Sequence, residues 1–178
     1  CEHAKKTDTR IFVGYNRRFY ASVIEAKKLI ESDRGVLSFN FEFTEWCDDI
    51  PKKLKHSTTG KNWFLANSSH VVDMAFYLGG DPQEIHSWTA GGSEWHPTAT
   101  VFAGAGVTNS GALFSYQANW DAPGRWGVEI LTCKHRYIFR PLEKLHILKH
   151  NTVTVEYVDI DDRLDIEFKP GLYRQTKS

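Results

Sequence analysis

The chain has 178 residues, which is enough for one domain with a sizeable core. Apolar residues make up 41% of it and charged residues 25%, a composition typical of a globular protein. Its 22 basic residues equal its 22 acidic residues, so we expect neither nucleic acid nor an anionic membrane as a partner.

A short strand over residues 10–15 is the first predicted element, and it ends in a polar turn of Asn16, Arg17 and Arg18. Two adjacent arginines can hold a carboxylate, a phosphate or a sugar hydroxyl through forked hydrogen bonds. A surface turn with one arginine in an ion pair explains the same residues, and the pattern by itself favours that interpretation.

A helix is predicted over residues 19–31, because apolar residues recur there at helical spacing. The clearest alternation in the chain follows. Leu37, Phe39, Phe41 and Phe43 point to one face, and the polar residues between them point to the other. A period of two with one polar face is typical of a half-exposed antiparallel strand.

Residues 47–60 are polar and basic and contain a proline, which predicts a long loop. Loops of that length inside a compact domain are usually functional or mobile. An apolar helix follows and ends at the glycine pair 79–80, with His70 near its start. A neutral imidazole there could exchange a proton near neutral pH. A buried core histidine with its hydrogen bonds satisfied is the alternative.

Other polar residues accompany His70. Asn67 or Ser68 could cap the helix, and Asp73, one turn further on, could hydrogen-bond the imidazole ring. Asp49 in the preceding loop could bind sugar hydroxyls, although acidic residues in loops are more often only solvated.

After Gly80 every element is predicted to be a strand. The predicted strands lie within residues 112–120, 126–132, 137–139, 145–147 and 153–157. Two early helices followed by strands predict a single α+β domain over residues 1–178. We expect an open, mostly antiparallel β-sheet with helices packed on one face.

Several kinds of site are not predicted. Gly104 and Gly106 lack the third glycine and the following helix of a dinucleotide fingerprint. The eight histidines show no ligand spacing, so no metal is expected. No apolar run approaches the ~20 residues that cross a bilayer. Cys1, Cys47 and Cys133 form no CxxC pair, which indicates a reducing, cytoplasmic setting.

Three segments carry a resemblance to a known family. Residues 13–19, Val-Gly-Tyr-Asn-Arg-Arg-Phe, lie near the start, residues 67–80 form the predicted helix that carries His70, and residues 169–171 read Lys-Pro-Gly. In order and spacing they resemble the C-terminal domain of the Gfo/Idh/MocA oxidoreductases. The resemblance covers nearly the whole chain and implies a C-terminal domain of the glyceraldehyde-3-phosphate dehydrogenase-like type.

The resemblance also implies a function. It implies the substrate-binding and oligomerisation domain of an NAD(P)-dependent oxidoreductase that acts on a sugar, polyol or nucleotide sugar. His70 would be the catalytic acid/base, and Asn16, Arg17, Asn67 and Asp49 would bind the substrate. The open sheet would form the interface of a homo-oligomer, a dimer.

In this family an N-terminal nucleotide-binding domain holds NAD or NADP, and this chain lacks that domain. We therefore expect residues 1–15 to be its tail and the isolated chain to be inactive. The only methionine, Met74, lies within a predicted helix, so we also expect the chain to be a fragment.

One position departs from the family pattern. The acid that usually stands four residues before the catalytic histidine is Ala66 here. Asn67 could substitute for it with a group that does not ionise, the chemistry could run differently in this protein, or it could have been lost. The alternative function is a non-catalytic module that binds a sugar-like ligand or dimerises on the same scaffold.

Overall fold

A computed structural model of the chain describes residues 2–54 and 57–178. Within these residues eight strands form one sheet in the order β2-β3-β4-β1-β5-β6-β7-β8. The strands are β1 Ser38–Glu42, β2 Pro82–Ala90, β3 Val101–Thr108, β4 Leu113–Asn119, β5 Gly127–Leu131, β6 His135–Phe139, β7 His146–Lys149 and β8 Val155–Tyr157. All neighbouring strands are antiparallel except β1 and β4. The predicted open, mostly antiparallel sheet with helices on one face is confirmed.

The helices pack on one face of this sheet. They are α1 Glu2–Thr7, α2 Ala21–Ser32, α3 Ile50–Lys53, α4 Ser57–Lys61, α5 Ser69–Gly79, α6 Arg163–Glu167 and α7 Leu172–Lys177. A 3-10 turn, Asn16–Phe19, precedes α2, and a π-helical turn, Phe64–Ser68, precedes α5. The two predicted helices, α2 and α5, are confirmed. Among the described helices none has both the length and the hydrophobicity to cross a bilayer.

The core lies between the sheet and the helices α2 and α5. Val71, Met74 and Ala75 follow one another at helical spacing on α5, and each is fully buried. At the end of α5, a Cβ on Gly79 would lie only 2.4 Å from the ring of Phe39 on β1. Only a glycine allows this close approach. The contact sets the position of α5 along the sheet, and with it the position of the helix start, where His70 lies.

The prediction for β1 is right about its faces and wrong about its pairing. Phe39, Phe41 and Phe43 are buried as predicted, whereas Leu37 is exposed because the strand begins one residue later. β1 is a central strand, antiparallel to β5 but parallel to β4. Alternation specifies which side chains share a face, and it carries no information about the direction of the neighbouring strand.

Three other predictions are corrected. Residues 10–15 form no strand, because no strand in the described part of the chain pairs with them. The long loop over residues 47–60 contains the short helices α3 and α4, although residues 55–56 lie outside the description. The strands do not continue to the end, since α6 and α7 close the chain. Helices of five and six residues are too short to show a clear periodicity.

Candidate functional site

The first and last of the three resembling segments lie against each other. The side-chain amide of Asn16 donates a hydrogen bond to the carbonyl oxygen of Pro170 at 2.9 Å. Gly171 follows with φ +73, and a Cβ there would lie 2.1 Å from the carbonyl oxygen of Asn16. Only glycine allows both this backbone conformation and this approach. The polar turn and the Lys-Pro-Gly segment therefore form one wall.

The third segment brings His70 to this wall. Its ring meets that of Tyr15 edge to face, with 5.4 Å between ring centroids. The pKa of His70 is lowered to about 4, chiefly by burial and also by the positive charges of Arg17 and Lys169, which Asp73 partly opposes. His70 Nδ1 is buried and has no hydrogen-bond partner among the described residues. The imidazole is therefore neutral near pH 7, and its Nδ1 makes no hydrogen bond to the described residues.

Asp73 does not bond the imidazole. Arg18 Nε donates to Asp73 Oδ2 at 2.8 Å, and the terminal guanidinium nitrogen of Arg18 donates to the other carboxylate oxygen. The interpretation of the arginine pair as a turn with one ion pair is thus correct for Arg18. It does not hold for Arg17, which makes no ion pair in the described part of the chain.

A cleft of about 430 Å³ opens between the start of α5, the end of β1 and the Lys-Pro-Gly segment. Its walls include three tryptophans, three basic residues and three acidic residues. These are Trp46, Trp63, Trp126, Arg17, Arg125, Lys169, Glu45, Asp49 and Glu143.

The predicted site residues fall at different distances from the cleft. Arg17, Asn67 and Asp49 line it. Asn16 lies behind the wall, bonded to Pro170. His70 is not part of the lining, although Arg17 and Lys169, which are, act on its charge. The structure therefore brings four of the predicted residues to one place and leaves His70 at its margin.

Arg17 is held by stacking and by one neutral hydrogen bond. Its guanidinium packs 4.6 Å from the centre of the Trp126 ring, and one terminal nitrogen donates to Asn16 Oδ1 at 3.2 Å. Its Nε is buried without a partner among the described residues, and burial lowers the pKa of Arg17. Arg125 packs over the same tryptophan at 4.5 Å and over Trp46 at 4.8 Å.

Glu45 is the functional candidate that the sequence interpretation missed. It is 3% exposed, and its Oε1 accepts hydrogen bonds from Asn67 at 2.8 Å and from Ser68 at 3.0 Å. Its Oε2 lies 3.5 Å from Arg125. Burial raises the pKa of Glu45 and outweighs these contacts, which lower it. The indole of Trp63 lies nearby, outside hydrogen-bond geometry.

Two expectations change because of Glu45. Asn67 and Ser68 make no capping hydrogen bond to α5, since their side chains turn to this carboxylate instead. A signal was present in the sequence, because position 45 continues the inward-facing series of Phe41 and Phe43. A carboxylate at an inward position of a strand is rarely placed there for packing alone.

Ala66 lies exposed in the π-helical turn before α5. Turns of this kind are frequent at functional sites. No carboxylate is available from position 66, and Glu45 supplies the buried carboxylate next to Asn67. Asp49 reaches the edge of the cleft, but its carboxylate pairs with Lys52 at 3.3 Å.

Gly104 and Gly106 do not form a phosphate-binding loop. Gly104 and Gly106 lie inside β3, where a Cβ would collide with the rings of Tyr116 and Phe114 respectively. These glycines make room for aromatic side chains and not for a pyrophosphate. Over residues 2–54 and 57–178 no group of three or more His, Cys, Asp and Glu side chains is placed to hold a metal ion.

Solved structures share this fold. The chain is similar to a dehydrogenase, MviM, from Clostridium difficile, with 17% identity and a TM-score of 0.69 over 99% of this chain and 54% of that one. It is similar to levoglucosan dehydrogenase in complex with NADH and levoglucosan, with 21% identity and a TM-score of 0.64 over 82% and 45%. It is also similar to UDP-N-acetylglucosamine 3-dehydrogenase GnnA from Acidithiobacillus ferrooxidans, with 16% identity and a TM-score of 0.63 over 93% of this chain and 53% of that one.

These neighbours are dehydrogenases of the Gfo/Idh/MocA type, as the resemblance predicted. The chain spans about half the length of each of them. At these identities the likeness establishes the fold, which is that of their C-terminal domain. No family model and no curated protein matches the sequence.

Proposed function

We propose that this chain is the substrate-binding domain of an NAD(P)-dependent oxidoreductase of the Gfo/Idh/MocA family, acting on a sugar, polyol or nucleotide sugar. The observation that carries the proposal is the convergence of residues 13–19, 67–80 and 169–171 on one cleft. A levoglucosan dehydrogenase with the same fold binds NADH and a sugar, which supports the assignment.

The chain's own contribution is to bind and orient the substrate and to handle a proton. Three lining residues, Arg17, Asn67 and Asp49, offer hydrogen-bonding groups to sugar hydroxyls. Asn16 positions Arg17 through its amide oxygen. Neutral His70 accepts a hydrogen bond, and then a proton, from a substrate hydroxyl at the edge of the cleft where the histidine lies. Tryptophan rings in the lining suit the apolar faces of a sugar ring.

NAD or NADP supplies the hydride acceptor or donor in such enzymes, and residues outside this chain would hold it. On this proposal residues 1–178 are one domain and residues 1–15 are the tail of a nucleotide-binding domain. A reducing, cytoplasmic location fits the free thiols of Cys47 and Cys133. The uncovered face of the sheet would be the interface of a dimer.

Activity of the full-length protein tests this function. With NAD or NADP and a panel of sugars, polyols and nucleotide sugars, we expect oxidation of at least one substrate. Changing His70→Ala should lower kcat by about 10²–10⁴-fold, the usual contribution of a general acid or base. The matched control is His150→Ala, at an exposed hairpin position. An unchanged rate in His70→Ala contradicts the catalytic role.

Ala66 favours a second candidate, a non-catalytic module that binds a sugar-like ligand. That function predicts binding of a sugar by the full-length protein with no turnover of any substrate in the panel. Turnover by the isolated 178-residue chain with added NAD would contradict both candidates, because neither gives this chain a cofactor site.

A further inference from the structure

Unpartnered buried nitrogens gather around the cleft. Four side-chain nitrogens in the described part of the chain are buried without a hydrogen-bond partner: Arg17 Nε, Trp63 Nε1, His70 Nδ1 and Trp126 Nε1. Three belong to lining residues, and the fourth belongs to His70 beside them. Arg17 Nε and the two indole nitrogens can only donate, and buried donors are costly to leave unpaired, so their clustering indicates a ligand with several acceptor atoms.

The basic and acidic residues of the lining are equal in number, but only some of them are ion-paired. Arg125 lies in an ion pair with Glu45, and Asp49 pairs with Lys52 outside the cleft. Arg17 and Lys169 have no carboxylate within ion-pair distance among the described residues. Both nevertheless lie close enough to His70 to lower its pKa. Neither cation is therefore held in an ion pair, although Glu143 of the same lining also acts on the charge of Arg17.

The free edge of Arg17 has the shape that recognises an oxyanion. One terminal nitrogen already donates to Asn16, a neutral acceptor. The edge formed by Nε and the other terminal nitrogen makes no hydrogen bond in the described part of the chain. Two parallel N–H groups on that edge match two oxygens of a carboxylate or a phosphoryl group. The ring of Trp126 holds the guanidinium plane in place.

We propose that the substrate of this cleft is a sugar bearing an anionic group, a carboxylate or a phosphoryl, which binds between Arg17 and Lys169. This inference rests on the proposed function and names its substrate class. The anionic group anchors the sugar at the wall formed by the polar turn and the Lys-Pro-Gly segment. The remainder of the sugar ring then extends along the tryptophans toward Glu45 and Asn67.

Binding has a signature at His70. The groups that act on its charge are Arg17 and Lys169, which lower its pKa, and Asp73, which raises it. An anion between the two cations offsets their effect, so the pKa of His70 rises when the ligand binds. A neutral sugar in the same cleft lacks that effect.

The test uses the 178-residue chain and follows the His70 C2–H resonance by NMR. Glucose, glucuronate and glucose 6-phosphate are titrated separately, so that the neutral, carboxylate and phosphoryl forms are compared. We expect at least one anionic sugar to bind about tenfold or more tightly than glucose and to raise the pKa of His70. The two anionic sugars show which oxyanion is preferred.

Substitutions locate the effect. Arg17→Gln and Lys169→Gln should each remove the preference for the anionic sugar, whereas the control Lys28→Gln, on the exposed side of α2, should keep it. Lys169 is exposed, so its variant folds even if Arg17→Gln does not. Equal binding of glucose and both anionic sugars, no binding of any of them, or a preference retained in both variants would overturn the proposal. Turnover of neutral sugars by the full-length protein would still uphold the proposed function.

Discussion

The buried carboxylate of Asp33 accepts a hydrogen bond from the hydroxyl of Tyr137 at 2.7 Å. The same oxygen is contacted by His135 Nδ1 at 2.7 Å and by the Thr132 hydroxyl at 2.8 Å. Asp33 directly follows α2, and its partners lie on the hairpin of β5 and β6. The hydrogen bonds of the Asp33 carboxylate therefore connect the end of α2 to the sheet. Burial opposes the charge, but these hydrogen bonds prevail and lower the pKa of Asp33.

Asp33→Asn should lower the free energy of unfolding by about 2–3 kcal/mol at pH 7, because it weakens several buried hydrogen bonds to a charged acceptor. A carboxylate with a lowered folded pKa stabilises above its unfolded value, near 3.8, and loses that effect as pH falls through the folded value. Urea unfolding at pH 7 and pH 3 measures this. The difference from wild type should shrink at pH 3, and the exposed control Asp159→Asn should show little difference at either pH.

His70 should titrate far below an ordinary histidine. Its folded pKa is about 4 against 6.5 for the free side chain, so the unfolded chain binds more protons between these values. The contribution of His70 to stability is therefore complete above pH 6.5 and declines as pH falls toward 4. NMR titration of the ligand-free chain checks the pKa, and a midpoint near 6.5 would contradict it. Unfolding of His70→Gln should depend less on pH in this window, whereas His150→Gln should behave like wild type.

Glu45→Gln should make the protein more stable at pH 8, by about 1 kcal/mol, and less able to bind substrate. The raised folded pKa means that ionised Glu45 is unfavourable in its buried site, so wild-type stability falls as pH rises through that value. A glutamine oxygen can accept the same bonds from Asn67 and Ser68. Urea unfolding gives the first quantity, and KM of the full-length protein gives the second. Lower stability of Glu45→Gln at pH 8 would show that the contact with Arg125 dominates. The control is Glu31→Gln, at an exposed position of α2 outside the cleft.

Gly171→Ala should destabilise the fold more than Gly111→Ala. Both glycines have positive φ, +73 and +86, so an alanine is strained at either position. At Gly111 nothing lies within 4 Å of the new Cβ, whereas at Gly171 the carbonyl oxygen of Asn16 lies 2.1 Å away. We expect losses of about 1 kcal/mol and about 3 kcal/mol respectively in the free energy of unfolding. Equal losses would mean that the turn at residue 16 moves away freely.

The uncovered face of the sheet should mediate a dimer. Trp88 is 65% exposed on β2, and Leu113, on the same face of β4, is 63% exposed. Sedimentation velocity of the chain should give a dimer, and Trp88→Glu should give a monomer because it places a charge in the buried interface. Phe12→Glu changes an aromatic residue that is even more exposed but lies outside the sheet, and this variant should remain dimeric. A monomeric wild-type chain would contradict this interface.

Periodic patterns predicted the parts of the fold that are local. The apolar spacing of α5 and the alternation of Phe39, Phe41 and Phe43 report directly which side chains are buried. The direction of β4 beside β1 depends on contacts between distant segments, and no local pattern encodes it. The site residues also divide into those with a local signal and those that depend on distant contacts. His70 stood out because of its helix, whereas Glu45 acquires its role from an amide 22 residues away.

The bond between the Asn16 side chain and the carbonyl of Pro170 joins residues 154 positions apart. During synthesis on the ribosome the sheet and α5 can therefore assemble while the wall beside His70 is still open. That wall closes only once residue 170 has left the exit tunnel. In the order of synthesis, ligand recognition therefore comes after assembly of the sheet and α5, and a ribosome paused before residue 170 would carry a folded sheet without its ligand-binding wall.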